Sequence, residues 1–198
     1  MNRLFLFFVL IIYMICSGCR MVSMTEAYVE REIPYHHRNT LAVMCFDDEH
    51  IQKDEVKGLF IKTISNPDAG EMLAGMMTDA LSDWGRYHIL TRSEIRRILK
   101  AEDMKEELMR ERDSIALGRI LGVDAVVIGK IYKLELSNAA IYQCGKVSFK
   151  ADCIDTKQGK ILWSIEANKS VPYKDEVVLA SEAIKEAVEK LEKEIDKK

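Results

Sequence analysis

Two apolar runs of strand length, 41–46 and 123–128, decide what this chain can fold into. The first reads Leu41-Ala42-Val43-Met44-Cys45-Phe46 and stops at Asp47-Asp48-Glu49, and the second carries Val123, Ala125, Val126, Val127 and Ile128. A strand that is apolar at successive positions has no face to give to water, so both runs are read as interior strands of a sheet.

The remaining segments supply edges and cover. Residues 71–84 are a helix: Met72, Met76 and Ala80 recur at i+4, as do Leu73, Met77 and Leu81, and Gly85 ends it. The three methionines are read as core. Tyr87-His88-Ile89-Leu90 is a short strand, and Thr91 or Ser93 caps a helix running from Glu94 to about Met109. Asp113 or Ser114 caps a third helix that turns Ala116, Leu117, Ile120 and Leu121 inward and stops at Gly122. The strand 123–128 continues past Gly129 into alternation, with Tyr132, Leu134 and Leu136 on one face and Lys133 and Glu135 on the other. Ser137-Asn138 opens a connection. Val147, Phe149, Ala151 and Cys153 then alternate with Ser148, Lys150 and Asp152. Thr156-Lys157-Gln158-Gly159-Lys160 is a hairpin loop, and the return strand sets Ile161, Trp163 and Ile165 on one face. Residues 175–197 form a long helix whose apolar stripe runs through Val177, Ala180, Ile184, Ala187, Val188, Leu191 and Ile195, expected to pack on the chain's own sheet. Residues 56–64 are open between a short strand and a helical turn. The order predicts an α+β fold, a mixed and largely antiparallel sheet with helices packed on one side of it.

The first residues carry an address rather than a fold. Arg3 precedes an apolar run from Leu4 to Ile15, followed by Cys16-Ser17-Gly18-Cys19. That run is about a dozen residues, against roughly 20 for a spanning helix, so it reads as a removable signal. Ser17-Gly18-Cys19 resembles a bacterial lipobox, with Cys16 where an aliphatic residue is usual. Residues 1–18 are therefore expected to be a lipoprotein signal peptide, 19–39 a tether lipidated on Cys19, and 40–198 one globular domain. Acyl chains would then hold the chain at a membrane. Arg20 after the cysteine resembles the sorting pattern for the outer membrane, inner leaflet, facing the periplasm. Cys45, Cys144 and Cys153 are read as buried small hydrophobes; Cys144 and Cys153 on one strand are too far apart to pair, and a pair between Cys45 and either of them stays open.

Little in the chain announces chemistry. Net charge is −3, from 29 Lys+Arg against 32 Asp+Glu, so no nucleic-acid partner is expected. No phosphate-binding glycine loop, nucleophile elbow or zinc-type Cys/His spacing occurs. Gly118 and Gly122 are explained by close packing and helix termination. Asp47-Asp48-Glu49-His50 is read as a solvated acidic loop, the pair His36-His37 as solvated, and His88 as structural. No catalytic residue, cofactor or metal is assigned, and the chain is not expected to be an enzyme.

Several segments together resemble one family. Residues 41–47 resemble its opening strand, 70–84 its first helix, and 87–92 the strand that follows, ending on Arg92. Residues 117–129, with Gly118, Gly122 and Gly129, and 155–163, with Gly159 and Trp163, resemble its two later motifs. Cys45 stands where that family often has proline. The family is the CsgG-like bacterial lipoproteins, which include the curli secretion channel and, more distantly, LpoB-type activators of peptidoglycan synthases. The resemblance implies a CsgG-like periplasmic domain. In the channel members two long hairpins per subunit build the barrel, and these would follow the 126–136 strand and the Trp163 strand. Here the gaps, 137–145 and 168–174, are too short for hairpins of about 20 residues each. The implied role is a non-catalytic accessory, assembly or regulatory factor for an envelope machine, with an unidentified protein partner and a possible homo-oligomer. The alternatives are a channel subunit, or a small envelope enzyme or ligand-binding protein.

Overall fold

The computed structural model describes residues 21–30, 40–49, 51, 56–57, 61–102, 114–139 and 142–197. Its strands are β1 (Val22–Val29), β2 (Thr40–Val43), β3 (Val56–Lys57), β4 (Ile61–Ser65), β5 (His88–Leu90), β6 (Ala125–Ala139), β7 (Tyr142–Asp155) and β8 (Ile161–Pro172). Its helices are α1 (Ala69–Trp84), α2 (Arg92–Ala101), α3 (Ser114–Leu121) and α4 (Glu176–Asp196). The strands join in one mixed sheet of order β1-β8-β7-β6-β2-β5, with β4 on the far half of β6 and β3 beside β4. Only the β2 pairings with β5 and β6 are parallel among the described strand pairs; the rest are antiparallel.

Both interior strands bury both faces, and this corrects the expectation of helices on one side. Leu41, Val43, Val127 and Ile131 join Phe149, Trp163 and Ile165 under α1 and α4. Ala42, Met44 and Val126 point the other way, where Ile95 and Leu99 of α2 and Leu117 and Leu121 of α3 cover them. A parallel pair apolar on both sides needs two layers of cover, and the two short helices supply the second.

Helix ends follow local chemistry. Gly85 takes φ 73° and its N–H donates to Ser82 O at 3.0 Å, closing α1. Thr91 accepts from Glu94 N while Glu94 accepts from Thr91 N, a reciprocal cap on α2. Asp175 accepts from Val177 N and Val178 N at the start of α4. Gly122, at φ 67°, ends α3, and Gly118 lets that helix touch Thr156: a Cβ there would lie 2.1 Å from the threonine methyl. The Thr156 hydroxyl is shared between Val123 O at 2.8 Å and Asp124 O at 2.9 Å, which ties the β7–β8 loop to the α3–β6 link.

Four details depart from the sequence reading. Residues 22–29, expected within the tether, form β1, paired along β8 from Val22↔Ser170 to Val29↔Trp163, with Thr25 and Val29 turned inward. A bulge between Ile131 and Lys133 breaks the alternation, leaving Tyr132 47% exposed while Leu134 is buried. A second register shift, at Cys153/Ile154, turns Ile161 outward and Leu162 inward. The expected connection after Ser137 is strand instead, because β4 pairs with β6 from Ile61↔Ala139 to Ser65↔Glu135. Cys45 and Cys153 carry no disulfide, so they do not pair with each other.

Candidate functional site

The face of β1, β8, β7 and β6 that turns away from α4 is polar, and registry arranges its charges in a row. Glu26 stands opposite Glu166, Glu166 opposite Lys150, and Lys150 opposite Lys130. Asp47 is bridged to Lys130 at the end of the row, its N–H donating to Gly129 O and its C=O accepting from Ile131 N, both at 2.8 Å. Like charges directly opposite repel, and each lysine has an acid alongside. Lys150 Nζ lies 3.0 Å from Asp152, and Lys130 Nζ 3.7 Å from Asp47. Ser164 donates to Asp152 from the neighbouring strand.

Where this face meets α3 it sinks into a pocket of about 250 Å³. Its apolar wall is Met44, Leu117 and Ile128; its polar wall is Asp47, Lys130, Lys150 and Asp152, with Tyr132 turned out by the bulge. The hydrogen bond from Lys150 to Asp152 raises the lysine above its usual pKa, with the charges of Asp152 and Glu166 adding to this, so it stays an ammonium. Such a group binds anions; it neither attacks nor takes a proton at neutral pH. Burial pushes the Cys153 thiol well above the usual thiol range, which makes it inert as a nucleophile.

The sequence pattern singles out none of Lys130, Tyr132, Lys150 or Asp152 as a site. Alternation marks Lys150 and Asp152 as outward, but nothing local places them beside Lys130 and Asp47. Of the acidic run after β2, Asp48 is buried and Asp47 belongs to the pocket. His88 lies exposed on β5, and no cluster of three metal-type ligands gathers among the described residues. Cys19, His36, His37 and His50 lie outside the described residues. No described helix is long and apolar enough to cross a membrane. Arg92 holds the structure together: its guanidinium donates to Val43 O at 2.6 Å and pairs with Glu71, locking β2, α1 and α2 to one another.

One buried carboxyl outside the pocket carries a pH prediction. Glu176, in the first turn of α4, is 7% exposed, and its Oε2 has no hydrogen-bond partner among the described residues. Burial raises its pKa above the ordinary value of 4.5. A carboxyl raised in the folded state binds its proton more tightly there than in the unfolded chain. It therefore costs stability above the folded pKa, and that cost fades as pH falls through it. Glu176→Gln is expected to raise stability by about 1 kcal/mol at pH 7. The gain should shrink toward zero on acidification to the unfolded value; thermal melts across pH check this, and a gain that grows in acid would contradict it.

The model of the family described as curli production assembly/transport component CsgG matches residues 36–195. Among solved structures, lipoprotein GNA1162 from Neisseria meningitidis aligns at TM-score 0.59 with 17% identity, over 78% of this chain and 99% of that one. The PelC dodecamer from Paraburkholderia phytofirmans aligns at TM-score 0.57 with 12% identity, over 86% of this chain and 97% of that one. At these identities the likeness is one of fold. No curated protein matches the chain in sequence.

Proposed function

The chain belongs to the family of the curli production assembly/transport component CsgG, and from that membership we propose that it serves the cell envelope as a lipid-anchored, periplasm-facing accessory or assembly factor rather than as a channel or an enzyme. The lipid sits on Cys19, at the outer membrane. The observation that carries the reading is the shape of the two connections where the family's channel hairpins would emerge. Between Ala139 and Tyr142 only residues 140 and 141 intervene, and between Pro172 and Glu176 only 173–175. The far halves of β6 and β7 are also enclosed by neighbours, β4 on one side and β8 on the other, and carry Lys133, Glu135 and Lys146. A lipid-facing strand of about 9–11 residues needs an apolar outward face, and these strands lack one.

On this reading the protein acts by contact. Contacts with further copies of itself are included: the chain shares its fold with a protein solved as a dodecamer. The intact lipoprotein, purified in mild detergent and reconstituted into liposomes, tests this. We expect particles larger than one chain, no release of an enclosed dye, and reproducible cross-links in cells to an envelope protein. Dye release would favour the channel reading, and absence of any envelope cross-link would overturn the accessory reading.

A further inference from the structure

We propose that the pocket between α3 and the outer face of β6 and β7 is a binding site for a small zwitterion with an apolar body, the chemistry of a free apolar α-amino acid. The proposal goes beyond the accessory role and does not depend on it.

Three features of the pocket select this class. Its size, about 250 Å³, is below that of sites for drug-sized ligands and suits a small molecule. Its charges balance: Lys130 and Lys150 against Asp47 and Asp152. A ligand of one sign would unbalance them, whereas a zwitterion leaves them neutral. Their placement also matches. The two lysines stand directly opposite each other across β6 and β7, a repulsive pair that a carboxylate between them would relieve. Lys130 is the looser of the two, 3.7 Å from Asp47. The ligand's ammonium then faces Asp47, freed to take it, while Met44, Leu117 and Ile128 receive its apolar side chain.

The test uses the full chain in detergent with L-leucine, and with two analogues that each lack one charge, 4-methylpentanoate and 3-methylbutylamine. Leucine in large excess over its dissociation constant is expected to raise the melting temperature by about 2 °C or more, and neither analogue should match it. Lys130→Met should weaken leucine binding at least about tenfold, as measured by calorimetry, while keeping the unliganded melting temperature close to that of the parent, since half-exposed pairs contribute little to stability. Asp47→Asn gives an independent loss from the acidic side. No response to leucine, an equal response to an analogue, or full binding by both variants would overturn the proposal.

Discussion

Gly129→Ala is expected to be among the most damaging single changes of one methyl group in this protein. A Cβ at Gly129 would lie 2.4 Å from three carbons of the Phe46 ring. That ring is fully buried and packs against Phe149 with centroids 6.2 Å apart, so it has no free space to turn into. Overpacking of a well-filled core costs about 1–3 kcal/mol, and the rigid contact here puts the loss at the upper end. In a chain of this size that corresponds to a fall in melting temperature of roughly 6–12 °C. Two companions separate the clash from any general intolerance. Gly75→Ala, with nothing within 4 Å of the new Cβ on α1, should stabilise by about 0.5–1 kcal/mol through helix propensity. Phe46→Leu should cost less in the Gly129→Ala background than in the parent. Equal losses in both backgrounds would show that the ring is not what Gly129 accommodates.

Cys19→Ala should abolish acyl attachment. Each buried methylene contributes about 0.8 kcal/mol to membrane binding, so losing the chains removes the anchor outright. The expected result is loss of incorporated labelled palmitate and disappearance of the protein from the outer-membrane fraction. Cys16→Ala is the control: under the proposal Cys16 leaves with the signal peptide, so this variant should keep both. Palmitate retained by Cys19→Ala would place the lipid elsewhere.

The strongest periodicities are legible in the sequence. The i+4 repeats on α1 pack as read, as does the stripe on α4 from Ala180 to Ile195, although Leu179 rather than Val177 begins it; Gly85, Gly122 and Gly159 take positive φ where a turn or helix end is expected. What escapes is decided by partners far away in the chain. Residues 22–29 look like tether because an edge strand with one wet face needs only a few inward residues, and only the line of β8 turns them into β1. Simple alternation sends Tyr132 and Ile161 inward, and one extra residue on a strand reverses that. The two-sided apolarity of residues 41–46 is readable, but not that α2 and α3 take the second side. The pocket is invisible for the same reason as β1: Asp47, Lys130 and Lys150 come from three segments that only the sheet's register sets side by side.

The central claim is that this chain is held at its membrane by lipid and not by its own strands or helices. Intact-mass spectrometry of the protein extracted from membranes tests it most directly. The predicted mass is that of a chain beginning at Cys19, carrying a diacylglyceryl group and a further acyl chain. A membrane-held protein of unmodified mass, or one still beginning at Met1, would contradict the account.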